Sequence, residues 1–108
     1  MTPGYGDITP RELKRRLDAG DRPVLLDVRE PWEYAAARIE GSELIPMSRL
    51  LERFTELDPD AETVVICHHG SRSAHVAQAL STAGFRRVLN LRGGLDAYSD
   101  VDPSVPRY

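Results

Sequence analysis

Several things are scarce in this sequence, and each shortage closes off a class of protein. There is one cysteine, Cys67, so an intramolecular disulfide is impossible and nothing points to an oxidising compartment. The opening MTPGYGDITP has no basic stretch followed by an apolar one, so a secretory leader is not expected. No apolar run approaches the ~20 residues that cross a bilayer, and no membrane partner is expected. Positive charge is not in excess. Fourteen Lys and Arg stand against 17 Asp and Glu, and the net charge of −3 argues against a nucleic-acid or anionic-lipid surface. The cytoplasm is the expected compartment. What remains is 108 residues, 41% of them hydrophobic, enough for one domain over 1–108 with a core that needs no disulfides.

Apolar segments of two periods alternate along the chain. Thr9-Pro10-Arg11-Glu12 has the capping-box spacing with Pro at the first helical position, and predicts a helix through Leu13 and Leu17 to Gly20. Val24 to Val28 is a nearly continuous apolar run of the kind covered on both faces. Pro31-Trp32-Glu33-Tyr34-Ala35-Ala36 starts a short helix, in which Trp32 and Tyr34 are expected to pack. Glu43 to Met47 reads as a strand. Ser48 begins a helix carrying Leu50, Leu51, Phe54 and Leu57, ended by Asp58-Pro59-Asp60. A strand at Thr63 to Cys67 is followed by a helix with Ala74, Val76, Ala77, Leu80 and Ala83 on its apolar side. Arg87 to Leu91 gives the last strand, and Gly93-Gly94 leads into a helix from Leu95 to Ser99. The fold class is therefore α/β, with a mainly parallel sheet flanked by helices on both faces. Residues 100–108 are too proline-rich for helix or sheet and are expected to form an irregular tail along the surface.

Chemistry concentrates at Cys67. A cysteine between a strand and a helix N-terminus faces unpaired N–H groups and the positive end of the helix dipole, and Arg72 is close in sequence; such surroundings favour the thiolate. Gly70 permits a tight turn, and Ser71 or Ser73 can cap the helix. The six-residue run Cys67, His68, His69, Gly70, Ser71, Arg72 can curl so that its N–H groups, through Ser73, point at an anion on the sulfur. This run resembles the Cys-x-x-Gly-x-Arg loop of rhodanese-like (sulfurtransferase) domains. Leu26-Asp27-Val28-Arg29-Glu30 to Tyr34, Ile39-Glu40-Gly41-Ser42 through Pro46, and Arg92-Gly93-Gly94-Leu95 are similar to further motifs of that family, so the likeness covers nearly the whole chain. Ala37, Arg38 and Tyr98 depart from its usual Gly, His and Trp. The loop and the 101–108 tail look closest to the branch joined to enzymes that activate ubiquitin-like sulfur carriers.

The resemblance implies a sulfurtransferase. Cys67 would take a sulfane sulfur from thiosulfate or a protein persulfide and pass it to a thiol, cyanide or a ubiquitin-like sulfur-carrier protein. No cofactor and no metal are implied. His68, His69, Gly70, Ser71, Arg72 and Ser73 would bind substrate, Arg72 either as a substrate-facing cation or as a donor that fixes the loop. Asp27 and Arg29 end a strand expected to neighbour that of Cys67; holding the loop and the next helix is their expected task, with Glu33 in the same network. His75 reads as a helix-surface residue. A Cys-His-His metal site is disfavoured, because adjacent residues rarely converge on one ion. Phosphatases of the same fold have a loop one residue longer, and non-catalytic binding modules of the fold normally lack the cysteine. A redox or persulfide sensor that does not turn over is the standing alternative.

Overall fold

The alternation of segments is realised as a five-stranded, all-parallel sheet in the computed structural model, which describes residues 4–108. The first three positions of the domain expected over 1–108 lie outside the described residues. In chain order the elements are β1 (Gly6–Ile8), α1 (Pro10–Asp18), β2 (Val24–Asp27), α2 (Pro31–Ala36), β3 (Glu43–Leu44), α3 (Leu50–Arg53), β4 (Thr63–Ile66), α4 (Ser71–Thr82), β5 (Val88–Leu91) and α5 (Gly94–Tyr98). The sheet order is β1-β5-β4-β2-β3, which puts β4 at the centre.

Residues on opposite sides of each strand feed two cores. Leu26, Val65 and Val88 meet Leu50, Val76, Ala77 and Leu80 on the side covered by α3 and α4. Leu25, Val64, Ile66 and Leu91 meet Leu13, Leu95 and Tyr98 on the side covered by α1 and α5. A strand covered on both faces can be apolar at every position, which is why Val24 to Val28 and Thr63 to Ile66 show no polar alternation. Thr9 caps α1 reciprocally with Glu12: the Glu12 N–H donates to Thr9 Oγ1 at 3.2 Å and the Thr9 N–H to Glu12 Oε1 at 3.1 Å.

Several details depart from the sequence expectation, among them the strand expected from Glu43 to Met47, which spans only Glu43–Leu44. β1 was not anticipated, because Gly6-Asp7-Ile8 carries a single apolar side chain; it is a strand because β5 pairs with it, Gly6 opposite Leu89 and Ile8 opposite Leu91. The helix expected from Ser48 is a short α-turn between 3₁₀ turns at Met47–Arg49 and Phe54–Glu56, and Leu51 faces solvent while Leu50 and Leu57 are buried. Ala83 follows the end of α4 and is exposed. The tail is irregular as expected, but it does not merely lie along the surface. Val105 is buried in the core beside Leu13 and Tyr98, and Tyr108 reaches the residues around Cys67. Proline prevents helix and ladder, not burial.

Val105→Ala is expected to cost about 1–3 kcal/mol in urea unfolding, the range for shortening a buried aliphatic side chain. A loss below about 0.5 kcal/mol would place the tail on the surface.

Candidate active site

β4 ends at Ile66 and delivers Cys67 to the carboxyl edge of the sheet, where ligand sites of open α/β sheets lie. The cysteine is only 1% exposed. Gly70 turns the chain with φ +101° and is itself the residue before α4, so neither Ser71 nor Ser73 caps the helix: Ser71 is exposed at its first position and Ser73 is buried at its third. The left-handed turn aims the Gly70 N–H at Cys67 Sγ, 3.0 Å away. The N–H groups of Ser71, Arg72 and Ser73 open α4 and have no acceptor within the helix.

Ser73 Oγ lies 3.2 Å from the sulfur and 2.5 Å from Asn90 Oδ1. The Asn90 amide is oriented by its other end, where Nδ2 donates to the Gly70 carbonyl at 3.3 Å. Oδ1 can only accept, so the Ser73 hydroxyl donates to it, and the Ser73 oxygen is left to accept from the Cys67 thiol. Sequence reasoning missed Asn90. Its one signal was a polar side chain within a strand otherwise built of Val and Leu, where burial demands a partner.

The floor of the loop is backbone. Leu95 N–H donates to the Cys67 carbonyl at 2.8 Å and Asp96 N–H to the His68 carbonyl at 3.0 Å. Gly94, at φ +63°, permits this approach: a Cβ there would collide with both carbonyls.

Two ion pairs stand beside the loop. Asp27 and Arg29 are buried together, Arg29 Nε 2.9 Å from Oδ1 and Nη2 2.7 Å from Oδ2. Arg29 also donates to the Glu33 and Ala37 carbonyls, at 3.3 and 2.6 Å, and so fastens α2 to the end of β2. It makes no hydrogen bond to the 67–73 loop. The second pair does reach the loop. Glu33 accepts from Arg72 Nη1 at 2.7 Å and Nη2 at 2.9 Å, from the Glu30 N–H at 2.9 Å and from the Tyr108 hydroxyl at 2.7 Å. The Arg72 guanidinium, followed by the Glu30 N–H and the Tyr108 hydroxyl, outweighs burial and holds the Glu33 carboxyl at about 2. Of the two roles expected of Arg72, the loop-fixing contact is the one seen.

His68 and His69 lie at the rim, their rings 4.0 Å apart, and Tyr108 stacks on His68 at 4.2 Å. Burial, reinforced by His69, pushes the His68 pKa down. Burial likewise pushes Tyr108 up to about 12. Among the described residues no three His, Cys, Asp or Glu side chains cluster as a metal site would require. His75 is exposed on α4. Trp32, expected to pack, is 67% exposed and meets Tyr108 edge-on at 5.9 Å; its position on α2 faces the mouth and not the core. Tyr34 is half-buried, its hydroxyl donating to the Ser42 carbonyl.

The family model described as "Rhodanese-like domain" matches residues 9–100. The chain belongs to the rhodanese-like domain family. It is 38% identical over 104 residues to the probable adenylyltransferase/sulfurtransferase MoeZ of Mycobacterium tuberculosis, covering 94% of this chain and 26% of that protein. The chain therefore spans about a quarter of that relative's length. A sulfurtransferase of Allochromatium vinosum is 34% identical over 86% of this chain and 87% of its own. The crystal structure of a rhodanese-related protein from Thermoplasma volcanium superposes with a TM-score of 0.81 at 35% identity, covering 91% of this chain and 94% of that one. These relatives support a transferase class and a sulfur-transfer role for the domain.

The Glu33–Arg72 pair has an acid signature. Because Glu33 falls from 4.5 to about 2 on folding, its contribution is fully present above pH 4.5 and is lost as the pH drops toward 2. The stability difference between wild type and Glu33→Gln, from urea melts, is expected to be constant from neutral pH to about 5 and to shrink below that. A difference independent of pH down to 2 would contradict the pairing.

Proposed function

We propose that this domain moves a sulfane sulfur through a persulfide on Cys67. The observation that carries the reading is the sulfur itself: it sits at the end of the central strand, takes the Gly70 N–H at 3.0 Å, and stands at the N-terminus of a twelve-residue helix. That is an electrostatic setting for an anion on the cysteine, and catalysis of this kind rests on such preorganised donors.

In the first step the Cys67 thiolate attacks the outer sulfur of the donor. With thiosulfate, a new S–S bond forms to Cys67, the sulfur–sulfur bond of the donor breaks, and sulfite leaves with the electron pair, giving Cys67–S–S⁻. With an organic persulfide R–S–SH, the same displacement releases R–S⁻ and leaves Cys67–S–SH. Forming the thiolate removes the proton that Ser73 accepts, and the Ser73 hydroxyl then turns from Asn90 toward the sulfur, keeping it solvated by a donor. The N–H groups of Ser71, Arg72 and Ser73 are the donors available to the terminal sulfur. In the second step a nucleophile attacks that terminal sulfur and the Cys67 thiolate is regenerated: cyanide would leave as thiocyanate, a thiol as a new persulfide. A sulfur-carrier protein is the acceptor class suggested by the likeness to MoeZ. His68 and His69 line the approach, while Asp27 and Arg29 fasten α2, which carries Glu33 to Arg72.

Two-substrate kinetics test this directly. Covalent transfer predicts parallel double-reciprocal lines for donor and cyanide, and loss of turnover by about 10³-fold or more in Cys67→Ala. Intersecting lines, or activity that survives removal of the sulfur, would overturn it; uptake of one sulfur with no onward transfer would point to a sensor instead.

A further inference from the structure

Building on the sulfur-transfer reading, we infer that Glu33, steadied by Tyr108, is a specificity-determining residue that occupies Arg72 and thereby turns the site away from doubly charged inorganic sulfur donors and toward organic persulfides. The Cys67 loop contains one permanent cation, Arg72, and its charge is already matched. Both terminal nitrogens are taken by the two oxygens of Glu33 at 2.7 and 2.9 Å, and the Glu33 side chain is only 5% exposed against 36% for that of Arg72. The arrangement is braced from two further directions, by the Glu30 N–H on one oxygen and the Tyr108 hydroxyl on the other. A bidentate pair with this many supports does not open for an incoming anion without leaving a buried carboxylate unpaired. The other strong cation beside the site, Arg29, is matched by Asp27 and fully buried. At the rim, burial disfavours the cationic form of His68.

A dianion such as thiosulfate therefore meets two neutralised pairs and one helix terminus. An organic persulfide brings at most one charge on the reacting sulfur, which the Gly70 turn and the α4 N-terminus can match. Its carbon framework has a surface to meet as well, since Trp32, Tyr108 and His68 form an aromatic rim, with Trp32 67% exposed. Glu33 touches no reacting atom in this account; it acts through Arg72.

The test is a gain of function. Steady-state kinetics with thiosulfate and with cysteine persulfide as donors, cyanide as acceptor, are compared for wild type, Glu33→Gln, Glu33→Gln/Arg72→Gln and Tyr108→Phe. Releasing Arg72 is expected to lower KM for thiosulfate roughly five- to tenfold in Glu33→Gln, the scale of one partly exposed charge-assisted contact, with KM for cysteine persulfide nearly unmoved. Adding Arg72→Gln should abolish the gain. Tyr108→Phe, which removes one hydroxyl, should shift thiosulfate KM in the same direction by a smaller factor and serves if Glu33→Gln does not fold. A loop merely loosened by the substitution would lower kcat and raise KM for both donors, and that result overturns the assignment. So does an unchanged thiosulfate KM in the presence of normal persulfide turnover, which leaves the sulfur-transfer reading standing. Wild-type protein inert toward both donors would instead remove that reading, and this assignment with it.

Discussion

Two peptide hydrogen bonds, from Leu95 and Asp96 to the carbonyls of Cys67 and His68, hold the reactive end of the molecule in place. They tie the turn after the central strand to the start of the last helix, and they require backbone to touch backbone. Only glycine allows that at Gly94, where a Cβ would overlap both carbonyls, and Gly70 sits so close that a Cβ on it would lie 3.2 Å from the Gly93 nitrogen. With the carbonyls of the turn engaged on one side, the Gly70 N–H faces the other, toward the sulfur at 3.0 Å. Gly70 and the Gly93-Gly94 pair, far apart in sequence, thus set one turn, and its geometry follows from the absence of side chains.

Charge is arranged in two tiers around this turn. Asp27–Arg29 is buried and carries α2; removing one partner of such a pair costs about 3–5 kcal/mol, because the other is left uncompensated. Arg72–Glu33 is the outer pair, with the Glu33 side chain buried and the Arg72 side chain partly exposed. The inner pair therefore matters to folding. The outer pair ties α2 to the Cys67 loop, and in the proposed reading it sets how much positive charge an incoming donor meets. Tyr108 joins the tiers, its hydroxyl on Glu33 and its ring 5.2 Å from the Arg29 guanidinium.

Much of this was legible in the sequence because it is local. The capping box at Thr9, the apolar runs at Val24 and Thr63 and the turn glycine after Cys67 each encode their structure within a few residues, and together they yield the α/β architecture. The placement of Cys67 between strand and helix follows from the same signals. What escaped is non-local. Gly6-Asp7-Ile8 is a strand only because β5 offers an edge. Asn90 and Ser73 lie 17 positions apart and Tyr108 meets Glu33 across 75, so no spacing rule could join them. Trp32 and Val105 both depart from expectation, the indole outside and a residue of the proline-rich tail inside. The motifs located the chemistry; long-range contacts settled which charges and donors attend it.

Whether Cys67 carries the sulfur is read out by intact mass. Wild type and Cys67→Ala are incubated with thiosulfate or with cysteine persulfide, desalted, weighed, and weighed again after cyanide. Wild type alone is expected to gain one sulfur atom, removed by cyanide as thiocyanate. Unmodified wild-type protein with both donors, or equal modification of the Cys67→Ala variant, would contradict it.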